Sequence, residues 1–252
     1  MTDTPRETRV LNAVVALVDN LLDDFDVVDL LTGLTEHCAE LLDVAAVGIL
    51  LADPFRQLRL LAATSEQARA LEVFQLQADE GPCLDCYATG QAISVADLQE
   101  ATARWPRFVP AAVEAGFASV HAVPMRAAGI VLGALGLFGA SSGELTEADL
   151  LVGQTLTHIA CVAILQGRPP TPSTVMPPLR TALTNRVIVE QAKGLLHQML
   201  DVSVEEAFNL LRSYARANGE HLTDLAHTLM TDRYSRLLLV SDLAELLDAP
   251  TQ

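Results

Sequence analysis

The sequence predicts an α+β domain, an antiparallel sheet flanked by helices, followed by a small all-α unit of three helices. Three observations lead there. Over the first two-thirds of the chain the apolar period changes from helical to strand-like and back. The stretch 167–178, GRPPTPSTVMPP, then interrupts the pattern with five prolines. Beyond it every apolar pattern is helical.

The elements follow in order. VLNAVVALVDNLL and DVVDLLTGLTEHCAELLDV repeat apolar residues at three and four, the spacing of helices. AAVGILLADP and LRLLAATS are short β-rich runs joined across DPFRQ, a turn sequence. A helical EQARALEVFQ precedes GPCLDCYATG, where Pro82 suits a helix start and Gly90 a helix end. QAISVADL reads as a strand and PRFVPAAVEAG as a short helix. SVHAVPM and IVLGALGLFGA read as a hairpin turning at RAAG, and TEADLLVGQTLTHIACVAIL as a long helix. The five prolines of 167–178 offer neither a helix interior nor a core, so a linker is expected there. The predicted organisation is a first domain over 1–166, a linker over 167–178, a helical domain over 179–240 and an acidic, apolar tail over 241–252.

In 179–240, LTNRVIVEQAKGLLHQML places Ile188, Ala192, Leu195, Leu196 and Met199 on one face. Arg186, Glu190, Lys193 and His197 fall on the other, a polar face expected to meet solvent. In the next helix Ser203 and Glu206 form a capping box, and Val204, Ala207, Phe208, Leu211 and Ala215 face inward. Asn218-Gly219 ends it. The third helix has Thr223 as its expected N-cap and Leu222, Leu225, Ala226 and Leu229 facing inward. The tail keeps a helical period through Leu237, Leu238, Val240, Leu243, Leu246 and Leu247, a further packing surface within the chain or against a second copy.

Half of the 252 residues are apolar, enough for a sizeable core. No uninterrupted apolar run reaches the roughly 18 residues of a membrane span. MTDTPRETRV does not read as a signal peptide, so a cytoplasmic protein without membrane contact is expected. The net charge of −16 argues against broad nucleic-acid binding. The imbalance is local, however. Residues 1–178 hold nine basic and 22 acidic residues, whereas 179–240 hold seven of each.

Cys83 and Cys86 form a C-x-x-C, with Cys38 and Cys161 far away. A structural zinc needs four ligands, usually two such pairs, and one pair is present. No metal site is predicted. Packing is the expected role of the two thiols, with a redox sensor or a reductase using Cys83 and Cys86 as the alternative.

EGPCLDCYATGQAISVADL and GFASVHAVPMRAAGIVLGALGLFG, in this element order, resemble a GAF domain over about residues 10–166. The resemblance implies a sensor or dimerisation domain; pockets of this family take many different small molecules or none, so the domain either binds an unspecified small molecule or serves only to dimerise. The N-K-F-D-E pattern of cyclic-nucleotide-binding GAF domains is absent, so no cofactor is named. Free-methionine sulfoxide reductases, a catalytic GAF family, carry further cysteines in the following loop. Here that loop reads QEATARWP, and no catalytic residue is expected.

NRVIVEQAKGLLHQMLDVSVEEAFNLLRSYARANGEHLTDLAHTLM resembles an ANTAR domain through its QAKG, EAFNLLRSYA and LTDLA runs. The resemblance implies RNA binding in transcription antitermination, with hairpin loops of a nascent transcript as partner and RNA polymerase nearby. The RNA-binding residues it points to are Arg186, Gln191, Lys193, Gly194, Arg212 and Arg216. Lys193 is the one lysine among 16 basic residues, a compact charge in a chain that otherwise uses arginine. Tyr214 is a candidate for base stacking or for the core. A homodimer is expected from the apolar first and last helices of the first domain.

Overall fold

The computed structural model describes residues 5–22, 25–127, 129–165 and 172–248, and the chain divides into two units, Met1–Thr181 and Ala182–Gln252. In the first unit the changes of apolar period become five strands: β1 (Ala46–Ala52), β2 (Leu58–Ala63), β3 (Ile93–Val95), β4 (Ser119–Ala127) and β5 (Ile130–Gly139). They pair antiparallel throughout, in the order β2-β1-β5-β4-β3. The helices are α1 (Arg6–Leu22), α2 (Val27–Leu42), α3 (Glu66–Ala78), α4 (Pro82–Thr89), α5 (Phe108–Glu114) and α6 (Glu147–Leu165).

Local chemistry sets their ends. Asp26 caps α2 by accepting from the N–H groups of Val28 and Asp29, at 2.8 and 3.1 Å. Ser65 caps α3 through the N–H of Ala68. Pro82 opens α4, and Gly90 closes it in the left-handed region with φ of 66°. The strand expected over 91–98 shortens to Ile93–Val95, because the Asp97 carboxylate accepts from the N–H of Gln99 and turns the chain into a single 3-10 turn.

Alternation along the strands sends neighbouring side chains to opposite faces. Ala122 joins the Cys83 and Cys86 cluster beneath α4, whereas Val123 points at Gly153 of α6. One face therefore carries α2 and α6, with α1 packed on both, and the other carries α3, α4 and α5. By length and composition alone α6 would suit a membrane. Here it packs on β4, α2 and α1. Its Asp149 accepts from the N–H and hydroxyl of Thr146, at 2.8 and 2.7 Å, and pairs with Arg6 of α1.

The second unit contains α7 (Pro172–Leu200) from Ala182 onward, α8 (Val204–Asn218), α9 (Leu222–Thr231) and α10 (Arg233–Asp248). Three sequence expectations change. Helix α7 begins at Pro172, inside the stretch expected to stay non-helical. Proline suits a first helical position, and Pro177 and Pro178 each forgo one helix hydrogen bond further in. The rest of the expected linker, up to Thr171, lies outside the described residues. The N-cap of α9 is His221 rather than Thr223, which is buried inside the first turn. The boundary expected after residue 240 falls inside α10.

The remaining signals hold locally. Ser203 and Glu206 form the capping box, and Gly219 ends α8 in the left-handed region. Leu222, Leu225, Ala226 and Leu229 are buried, as are Ala207, Phe208, Leu211 and Ala215. Helix α10 packs on α8 and α9. Arg236 donates to the carbonyls of Leu229 and Met230, at 2.5 and 2.7 Å, and so satisfies the last carbonyls of α9. The Tyr214 hydroxyl donates to Asp242 at 3.0 Å, and Leu243 is fully buried.

Candidate functional site

Among the described residues, two places bring chemistry-bearing side chains together, one in each unit. In the first unit Gly48 of β1 and Gly136 of β5 stand directly opposite each other, leaving a bare patch on the sheet. Glu72 of α3 fills it. A Cβ on Gly48 would lie 2.6 Å from Glu72 Oε1, and one on Gly136 2.5 Å. The carboxyl is fully buried. Its partners are neutral: the Gln75 amide donates to Oε2 at 2.8 Å, and the Cys83 thiol donates to Oε1 at 3.5 Å. Gln75 Oε1 in turn accepts from the Cys83 N–H at 3.0 Å. Burial pushes the Glu72 carboxyl up from its ordinary 4.5 to about 8, so near neutral pH it holds its proton.

The same burial acts on the thiols. Cys83 is raised well above the ordinary thiol value by desolvation, with Glu72 and Cys86 adding to it, and Cys86 is pushed up to about 12 by desolvation. Both are fully buried and free, so the chemistry of the pair at neutral pH is that of packed thiols. Among the described residues no three metal-ligating side chains converge. Sequence reasoning missed Glu72. The signal was present, because Ala68, Leu71, Glu72 and Gln75 share the buried phase of α3.

Outside this cluster lies a cavity of about 600 Å³ between the β1–β2 turn, β2, α3 and α4. Leu58, Leu76 and Leu84 contribute apolar walls, Tyr87 an aromatic one, Arg56 and Arg59 positive charge, and Asp79 and Asp85 negative charge. Asp53 organises the turn by accepting from the N–H groups of Phe55 and Gln57, both at 2.9 Å, and from Arg59 Nε at 3.1 Å. Arg56 sits in the left-handed region with φ of 62°, an uncommon conformation for a side chain of its size.

In the second unit the six RNA-binding candidates separate into groups. Arg186 and Lys193 do not form a solvated face, as the helical phase had suggested. Both are buried, on the stripe of α7 that carries Ala182, Val189, Ala192 and Leu196. The buried face is rotated by about one residue from the expected one, and Met199 and Val187 are exposed instead. The physical reason is the pairing. Glu190 Oε1 lies 2.5 Å from Arg186 Nη2 and 3.0 Å from Lys193 Nζ. Lys193 Nζ also sits 5.3 Å from the centroid of the Phe208 ring, and Arg212 Cζ lies 6.0 Å from the same ring. Lys193 and Arg212 thus meet across α7 and α8 on one aromatic side chain.

Gln191 and Gly194 fall on the exposed side of α7. A Cβ at Gly194 would meet nothing within 4 Å, so packing inside the unit does not require glycine there. Arg216 is exposed on α8, one turn beyond Arg212. Tyr214 is half-buried and bonded to Asp242 of α10.

The GAF domain family matches residues 26–165, more than half of the chain, and the ANTAR domain family matches residues 178–230. The chain is a GAF-domain protein that carries an ANTAR domain. GAF domains are sensory, and ANTAR domains are RNA-binding units of transcription antitermination regulation, so this GAF–ANTAR chain joins a sensing unit to an RNA-directed one. A search of curated proteins returns no match.

Among solved structures the chain is similar to the GAF domain of an Acinetobacter phosphoenolpyruvate-protein phosphotransferase, at 17% identity over 69% of this chain and 94% of that one, with a TM-score of 0.47. It is also similar to free methionine-R-sulfoxide reductase from Neisseria meningitidis in complex with its substrate, at 17% identity over 72% and 96%, TM-score 0.48. A GAF domain/HD domain protein from Geobacter sulfurreducens gives 22% identity over 55% and 92%, TM-score 0.46. None of these likenesses carries a functional argument.

Proposed function

We propose that this GAF–ANTAR chain is a cytoplasmic, non-enzymatic antitermination regulator whose second unit binds hairpin loops in nascent transcripts close to RNA polymerase. The observation that supports this most directly is the cation cluster on the ANTAR match: Lys193 and Arg212 flank Phe208, and Arg186 joins Lys193 at Glu190. Arginine and lysine at an aromatic edge suit phosphates and unpaired bases together. Gln191 and Gly194 supply a polar side chain and an uncluttered backbone on the adjoining exposed stripe, where a strand comes close. Arg216 extends the positive charge along α8.

The GAF unit supplies the signal in this reading. A small molecule with an apolar body suits the cavity beside Leu58, Leu76, Leu84 and Tyr87, where Arg56 and Arg59 are balanced by Asp79 and Asp85 and so select no net charge. It acts by binding the RNA-competent state better than the other, since equal affinity for both shifts nothing. The same unit dimerises through α1 and α6, where Leu11, Val15, Leu151 and Val162 are more than half exposed.

The deciding experiment is crosslinking of the protein to RNA in its own cells, followed by sequencing of the captured RNA. Enrichment of leader segments with terminator-like hairpins supports the reading. Capture at the level of an unrelated acidic protein overturns it.

A further inference from the structure

We infer that Glu190 is an internal stand-in for an RNA phosphate, which holds Arg186 and Lys193 together until a phosphate of the bound strand takes its place. The inference rests on the RNA-binding reading above. Glu190 lies one helical turn from each cation, and a single oxygen, Oε1, meets both, at 2.5 Å from the guanidinium and 3.0 Å from the ammonium. A guanidinium and an ammonium converging on one anionic oxygen is the arrangement that would hold a phosphate oxygen.

Exposure points the same way. The Glu190 side chain is 23% exposed, against 11% for Arg186 and 9% for Lys193. A strand approaching this stripe of α7 therefore meets the carboxylate before the cations. Phosphate and carboxylate repel each other, so both cannot occupy the point between the cations. The Phe208 ring supports Lys193 from the α8 side, so the ammonium keeps a neighbour while its anionic partner changes. In the free protein the carboxylate also screens the cations from other anions. That matters in a chain with a net charge of −16.

The test uses the full-length protein and a pool of stem-loop RNAs with randomised loops, titrated at several salt concentrations. Glu190→Gln should bind the pool roughly three- to tenfold more tightly. Its dependence on salt should steepen by about one counterion. An independent readout comes from the lysine itself. Lys193 is the chain's one lysine, so acylation of a lysine side chain by an amine-reactive ester, mapped by mass spectrometry, reports on that position alone. Acylation should be faster in Glu190→Gln than in the wild type, and RNA should suppress it in both.

Glu190→Asp keeps the charge and shortens the reach. It should fall between the two in affinity and in acylation, and it carries the test if Glu190→Gln melts early. A Glu190→Gln protein that melts like the wild type but binds the pool equally or more weakly overturns the stand-in role and leaves the RNA reading intact. A pool that neither protein binds overturns both.

Discussion

Glu72 enters the core as a carboxylic acid, because every group it touches is neutral and the two glycines opposite it leave room for nothing else. Its pKa rises from 4.5 to about 8 on folding. Between those values the folded chain holds a proton that the unfolded chain has released, so stability falls as pH rises. The contribution is complete below about 4.5 and gone above about 8. At about 1.4 kcal/mol per unit this amounts to a few kcal/mol. In melting curves across pH, Glu72→Gln should match the wild type in acid and exceed it progressively toward pH ~8, the upper end of that window. A wild type and variant that stay parallel would show the acid to be ionised throughout. At the RNA face, Lys193→Ala should weaken stem-loop binding by about 1–2 kcal/mol and flatten its salt dependence by roughly one phosphate, and it should also lower the melting midpoint, because Glu190 loses one of its cations and Phe208 its ammonium. Unchanged affinity and slope would leave Lys193 as a structural partner of Glu190 and Phe208. The identity of these residues was legible in QAKG and EAFNLLRSYA, but their orientation was not. Successive helix positions differ by about 100°, and the choice between a face built on Ile188 and one built on Val189 depends on Phe208, which the sequence of α7 does not contain.

Elements were more legible than faces. The change from helical to strand-like period located all five strands, and turn residues located most ends: Pro82 and Gly90 for α4, Ser203 and Gly219 for α8. Two of the misses share a cause, a side chain or proline acting across an element's end. Asp97 stops β3 early, and Pro172 starts α7 early. The sheet itself depends on close backbone approach at Gly133 of β5. A Cβ there would lie 2.0 Å from the carbonyl oxygen of Leu50, a backbone atom on the neighbouring strand. No rotamer change relieves that contact. Gly133→Ala should therefore destabilise the first unit by about 3 kcal/mol or more, above the usual range for an overpacked core. Gly143→Ala, where a Cβ meets open space, is the control. Thermal melting followed by circular dichroism compares the two, and equal midpoints would show that β1 and β5 slide apart at little expense.

At the scale of the whole molecule the exposed stripe of α1 is the clearest unsatisfied surface. Leu11, Val15 and Val18 follow one another at four and three residues, 64%, 55% and 39% exposed, while Ala13 and Leu17 face inward. A dimer built on this stripe should appear in light scattering at micromolar concentration as twice the 27.0 kDa chain mass. Leu11→Glu with Val15→Glu should return the single mass without unfolding either unit. A wild type that scatters as one chain would remove the dimer from the account. The C-terminal helix bears on how such a protein is taken apart. The ANTAR match stops at residue 230, yet Arg236 holds the last carbonyls of α9, Asp242 holds Tyr214, and Leu243 is buried against the unit. A fragment trimmed to the family boundary is thus missing its own lid: the end of α9 frays and the seat of Leu243 opens to water. Anyone moving this output module onto another sensor must carry the chain through Asp248, or the transplant will fail for reasons unrelated to RNA.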